Sequence, residues 1–256
     1  MYQIALTSFI AGIFACIACG LGALPLFFSK RKVQQQIGLG YGFAGGMMFS
    51  ASVYNLLLPA LTYGDIASPF GKISQLVIGI ALGCFFLWKV ESFLTPERLE
   101  KSSLHKVGGK TEILVFLAML LHSLPEGVAV GVGFASEPYL SQPLGTYIAI
   151  AIAIHNIPEG LAVALPLRLN GSGFWKCFWM AFFSSVPQPL ASVPAALAVW
   201  FFQPLMIPLL GFSAGSMMYL VLSQILPSAL ETHSPTQIAW SFMIGFCLMA
   251  FVQISF

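Results

Sequence analysis

Charge is scarce in this sequence: 8% of its 256 residues are Asp, Glu, Lys or Arg, where a soluble domain carries about 25%. A water-facing surface cannot be covered from that supply, so the composition excludes a soluble globular protein. The few charges also lack a dominant sign, 11 Lys and Arg against 9 Asp and Glu, which leaves no field to hold a nucleic acid or an acidic partner. No Lys or Arg precedes Lys30, so the first apolar stretch lacks the positive flank of a signal peptide and reads as a retained span. The cysteines Cys16, Cys19, Cys84, Cys177 and Cys247 are odd in number and all set in apolar runs, which gives no disulfide framework. The zinc-hydrolase signature His-Glu-x-x-His is absent as well.

What fills the sequence is apolar, 58% of it. A bilayer core about 30 Å thick needs roughly 20 apolar residues per helix, and eight such stretches are present, at 2–28, 36–60, 73–94, 112–134, 143–167, 174–199, 204–227 and 237–256. The pattern predicts an all-α polytopic protein, one transmembrane domain over 1–256, integral to a cell membrane. One connector is long, about 91–111, and holds Pro96, Gly108-Gly109 and much of the charge. Lys30, Arg31 and Lys32, then Lys89, Arg98, Lys101, Lys106 and Lys110, then Arg168 and Lys176 fall on alternate connectors, with Lys72 alone on the other side. Positive charge is retained in the cytoplasm, so both termini are expected outside it and the long loop within it. Glycines recur at four-residue spacing, as in Gly38, Gly42 and Gly46, Gly79 and Gly83, Gly127 and Gly131, and Gly211 and Gly215. Such faces let helices approach closely in lipid and would also suit a homodimer.

The chemistry lies in a repeat. His122-Ser123-Leu124-Pro125-Glu126-Gly127 returns 33 residues later as His155-Asn156-Ile157-Pro158-Glu159-Gly160. Consecutive spans cross in opposite directions, so the copies are antiparallel, the mark of inverted repeats with a site at the midplane. A fainter echo relates Gly42, Gly46, Met48 and Asn55 to Gly211, Gly215, Met217 and Gln224. His and Glu four residues apart share a helix face. His122 lies some ten residues into its span, roughly 15 Å deep. Ionisable groups there cost at least about 2.5 kcal/mol each and mark ion pathways by default. Two imidazoles and two carboxylates make a ligand set for zinc and neighbouring divalent metals. Pro125 and Pro158 lack the amide donors that would pair the carbonyls of Leu121 and Ile154 and are expected to break their helices. His105 and His233 fall in connectors and read as solvated.

On these residues, with Gly42-Phe43-Ala44-Gly45-Gly46-Met47-Met48 and Gly211-Phe212-Ser213-Ala214-Gly215-Ser216-Met217, the chain resembles the ZIP (Zrt/Irt-like) family of divalent metal transporters, most closely its GufA-like branch. The resemblance covers essentially the whole chain. It implies an eight-helix bundle and a primary metal position built from His122, Glu126, His155, Glu159 and a span 2 methionine, Met48 rather than Met47. Members often carry Asn after the span 4 His and Glu before the span 6 Pro, which complete a second metal position; here Ser123 and Gln188 stand there, while Asn156 matches. One tight ion is therefore expected. Asn55 and Gln224 would either line the path as neutral ligands or hydrogen-bond between helices.

The function expected is passage of a divalent cation into the cytoplasm, zinc first, with cadmium, iron, manganese and cobalt accepted by similar donors. The metal is substrate rather than cofactor, and spans 1, 4, 5 and 6 would move against the others. Since His must be neutral and Glu ionised to bind metal, acid should weaken binding. Two other readings use the same site: a membrane metal sensor or receptor without flux, and an intramembrane metalloenzyme, which would need an open ligand position and a general base. A haem carrier would leave the carboxylates without a purpose.

Overall fold

A hydrocarbon environment offers backbone amides no water, so a spanning segment must pair them internally as helix. The computed structural model describes residues 1–28, 30–62, 69–94, 110–139 and 143–255, and among these the regular structure is helical throughout. Eight helices are long and apolar enough to cross a bilayer: span 1 (Tyr2–Phe27), span 2 (Gln34–Thr62), span 3 (Phe70–Phe93), span 4 (Val115–Tyr139), span 5 (Leu144–Leu169), span 6 (Phe174–Phe201), span 7 (Gln203–Leu230) and span 8 (Pro235–Gln253). All eight predicted stretches are present; the largest disagreement is the end of span 4, expected at 134. The Gly64-Asp65 connector and most of the long one, with Arg98, Lys101, His105 and Lys106, lie outside the described residues.

The surface is apolar, and a minority of polar side chains is gathered inside an otherwise apolar interior. Phe70, Phe201 and Trp240 face outward, whereas His122, Glu126, Asn156, Gln188 and a series of serines are buried. Spans 1, 4, 5 and 6 form one group and spans 2, 3, 7 and 8 another, joined mainly where span 4 meets span 7 and span 2 meets span 5. The spaced glycines weld each group internally. Gly79 and Gly83 face Pro208 and Phe212 of span 7, Gly42 and Gly46 face Ile238 and Phe242 of span 8, and Gly127 and Gly131 face Gln188 and Ser192 of span 6. These faces are used within the chain, so they are not the surface a homodimer would use.

The glycine after each repeated Glu has a definite reason. A Cβ on Gly127 would stand 2.4 Å from the Gln188 carbonyl oxygen, and one on Gly160 would stand 1.7 Å from that of Cys19. Pro-Glu-Gly thus presses span 4 on span 6 and span 5 on span 1 directly beside each carboxylate.

The breaks expected at Pro125 and Pro158 do not occur. Helix runs uninterrupted through Lys110–Ser136 and Leu144–Leu169, because one missing amide bends a helix without ending it when both halves are packed. Breaks occur instead in span 1, which turns after Leu21 and restarts at Pro25, and in span 6, which stops at Ser184 and restarts at Pro187. Pro187 and Pro189 both lack the donors that would continue the first half. Spans 2 and 7 widen into π-helical turns at Ser52–Leu57 and Val221–Ile225, each just ahead of a proline, Pro59 or Pro227, whose ring crowds the carbonyl four residues back. The two widened turns fall at corresponding places in the faint echo, so the inverted relation of spans 2 and 7 is structural as well as sequential.

Gly160→Ala should lower the thermal denaturation midpoint in detergent, because overpacking costs about 1–3 kcal/mol or more. A midpoint equal to the unaltered protein's would mean that span 1 yields without loss.

Candidate metal centre

Glu126, His155 and Glu159 each offer one ligand atom, and these atoms lie within 4.8 Å of one another. All three residues are buried. His155 Nε2 is 3.4 Å from Glu126 Oε1, while Glu126 Oε1, Glu159 Oε1 and both ring nitrogens of His155 have no hydrogen-bond partner among the described residues. Continuous helices through Pro125 and Pro158 hold the set at the centre of spans 4 and 5. Among the described residues Glu126 and Glu159 are the only charged side chains that are buried; no Lys or Arg joins them. Two carboxylates and an imidazole with free lone pairs form a chelating pocket of formal charge −2, suited in charge and donor type to one divalent cation.

His122 stands one turn before Glu126, 3% exposed and with neither ring nitrogen partnered, but it is not in the three-residue group. Met48 is fully buried in the central apolar cluster, whereas Met47 packs with Ala151 and Met249 toward span 8. Both methionines are buried, Met47 1% and Met48 0% exposed, and burial does not choose between them.

Gln188 and Asn156 brace the carboxylate. The Gln188 Nε2 amide donates to Glu126 Oε2. Its Oε1 accepts from Asn156 Nδ2 at 3.1 Å, which also lies 3.2 Å from the Ala15 carbonyl oxygen. Gln188 can do this because the break in span 6 starts a new helix at Pro187, bringing the positive end of that half-helix beside Glu126.

Ser123 supports the break itself. Its hydroxyl has two carbonyl acceptors, Met119 at 2.9 Å and Ser184 at 3.1 Å, and the Cys16 thiol donates to the Ser185 carbonyl at 3.2 Å. Backbone acceptors exposed by a helix break in lipid need such donors. Sequence reasoning missed this break, although tandem serines followed by Val186-Pro187-Gln188-Pro189 signal it. It also placed Glu91 at the start of the long connector. Glu91 in fact belongs to span 3, where Ser223 Oγ and Gln224 Nε2 donate to Oε1 at 2.7 Å each and the Tyr219 hydroxyl donates to Oε2 at 3.1 Å. His233 lies beyond span 7, its Nδ1 3.0 Å from Thr232 Oγ1, and stands apart from the centre.

An eight-span helical bundle with a midplane carboxylate and imidazole site describes a class of membrane carrier, and comparison gives its family. The ZIP Zinc transporter family matches residues 96–253. Zinc transporter GufA of Myxococcus xanthus is 30% identical over 250 residues, 93% of this chain and 96% of that protein. Human zinc transporter ZIP11 is 44% identical over 139 residues, 53% of this chain and 41% of its own length. A relative from Arabidopsis thaliana is 35% identical over 225 residues, 87% of this chain but only 34% of that longer protein. This chain belongs to the ZIP family and, with its eight apolar helices, is an integral membrane protein.

Ser123→Ala removes a donor from the Ser184 carbonyl and should cost about 1–3 kcal/mol of stability while the ion-binding stoichiometry of the purified protein stays the same. An altered stoichiometry would place the hydroxyl in the metal site instead of at the helix break.

Proposed function

We propose that this protein carries a divalent metal ion, zinc foremost, across the membrane into the cytoplasm. One observation carries the reading: Glu126 and Glu159 are buried side by side with His155, and no buried Lys or Arg among the described residues accompanies them. The names of GufA and ZIP11 as zinc transporters support zinc as the substrate. The family and these relatives are named for transport, which favours it over a metalloenzyme.

The ion exchanges its water for Glu126, His155 and Glu159, and draws in His122, whose unpartnered ring lies one helical turn away. Met48 and Asn156 Oδ1, the latter also unpartnered, complete the set from spans 2 and 5. An open cavity lined by Tyr41, Met119, Pro158, Glu159, Gln224 and Ser228 reaches Glu159 at the pole where span 2 begins and spans 5 and 7 end. That pole carries the basic connectors and is the cytoplasmic side by the distribution of Lys and Arg. Both termini then lie outside, and this conformation opens inward. The glycine-welded groups are the bodies that shift against one another to open the other side.

Glu126→Ala and Glu159→Ala should each abolish zinc uptake into proteoliposomes while the protein still folds; uptake at the unaltered rate in either variant would remove the site from the path. Gln188→Glu places a third carboxylate where an amide now donates to Glu126, and equilibrium binding should then move from one zinc per chain toward two. A stoichiometry that stays at one would overturn the role given to that amide.

A further inference from the structure

The side-chain amide of Gln188 reaches Glu126 from the first turn of the second half of span 6, so whatever fixes that turn also fixes the brace on the carboxylate. Pro187 and Pro189 lack the amide hydrogens that would pair the carbonyls of Phe183 and Ser185. The Phe183 carbonyl is served from within the break, by Val186 N at 3.3 Å. The Ser185 carbonyl accepts from Gln188 N at 2.9 Å and also from the Cys16 thiol of span 1 at 3.2 Å. A carbonyl oxygen has two lone pairs, and here one oxygen joins the backbone of Gln188 to a side chain of another span.

Span 1 is seated firmly at this height. A Cβ on Gly12, one turn before Cys16, would stand 2.5 Å from the Pro189 Cα, so the backbones of spans 1 and 6 touch. Asn156 Nδ2 donates both to the Ala15 carbonyl at 3.2 Å and to Gln188 Oε1 at 3.1 Å. Span 1 thereby holds Gln188 twice, its side chain by way of Asn156 and its backbone by way of Cys16. The direction of the thiol is not the default one. Ser8, Ser52 and Ser136 turn their hydroxyls to the carbonyl four residues back in their own helix, whereas Cys16 donates across to span 6. A cysteine packs as a small hydrophobe yet keeps a weak S–H donor, which suits a fully buried position in an apolar run. Its sulfur is not in the group of ligand atoms, so its part in metal binding is indirect. We infer that Cys16 is a positioning residue of the metal site: its thiol fixes the Ser185 carbonyl, that carbonyl fixes the Gln188 backbone, and Gln188 holds Glu126 Oε2 so that Oε1 stays turned to His155. The inference rests on the reading of Glu126 as an ion ligand.

The test is equilibrium zinc binding to the purified full chain in detergent. Cys16→Ala should raise the zinc dissociation constant about threefold to tenfold with the stoichiometry unchanged. Cys16→Ser keeps a donor although its volume is close to that of alanine, and it should bind zinc as the unaltered protein does; Ser123 already serves its own helix and the break at once. In a Gln188→Ala background the brace is gone, so Cys16→Ala should add nothing to the loss of affinity there, while still lowering the thermal midpoint. Equal weakening by Cys16→Ala and Cys16→Ser overturns the inference, by making volume rather than the donor decisive. Unaltered affinity in Cys16→Ala overturns it too, as does a full further loss in the Gln188→Ala background, which would mean that the thiol acts by another route. Zinc held by Glu126→Ala as tightly as by the unaltered chain overturns the metal-site reading itself, whatever the cysteine variants do, and this inference with it.

Discussion

Two carboxylates facing one imidazole in the middle of an apolar bundle are the constraint on which the rest of this protein depends. Burying an ionised group costs several kcal/mol even after relaxation, and Glu126 and Glu159 lie close enough to repel each other. Among the described residues no buried Lys or Arg offsets them. Hydrogen bonds from neutral groups give partial relief: the Gln188 amide holds one oxygen of Glu126, and Asn156 holds Gln188. The remaining charge is of the size that a single divalent cation neutralises. Glycines at the next residue in each helix are the packing consequence, since they let the helices close around the carboxylates and keep lipid out.

The same constraint accounts for the division into two groups. A site sealed within one rigid body could hold an ion but not pass it on. Glu126, His155 and Glu159 come from spans 4 and 5, in the first group, yet they line its boundary with spans 2 and 7. Across that boundary the contacts are adaptable, such as the Ser213 hydroxyl on the Pro125 carbonyl at 2.8 Å and Met47 against Ala151. Within each group the glycine contacts are backbone against backbone and allow little slip. Rigid bodies and a compliant seam are what access from alternating sides requires.

The spans and the repeated His and Glu were legible in the sequence because each rests on a local signal: sustained apolarity for the first, spacing along one helix for the second. Tertiary pairing was not legible. Gln188 stood out as a departure from the family pattern, but its contact with Glu126 joins residues 62 positions apart and depends on a break in span 6 that the apolar run concealed. Ser123 stands where family members often carry Asn for a second metal position, and the tertiary contact of its hydroxyl with the span 6 backbone carbonyl, beside that with span 4, is not readable from that pattern. Glu91 read as connector because charge at the end of an apolar run normally meets water. Three donors from span 7 instead hold it within a helix. Pro125 and Pro158 misled in the opposite sense, since a proline's local effect is certain but its power to end a helix depends on packing that no local pattern records.

A carrier must release what it binds, and the charge count at this site bears on that directly. With two carboxylates a bound divalent cation leaves the pocket without net charge, which reduces the cost of holding it in the seam while the groups move. A third carboxylate in place of Gln188 would hold the first ion more tightly, and the pocket would then need a second ion or a proton to regain neutrality. The amide instead fixes Glu126 by donation, adds no charge and leaves Oε1 free toward His155. Orientation is thereby obtained without added Coulomb attraction, which favours release into the cavity that already reaches Glu159. Gln188 is thus a substitution of geometry for charge, and it suits a site that handles one ion at a time.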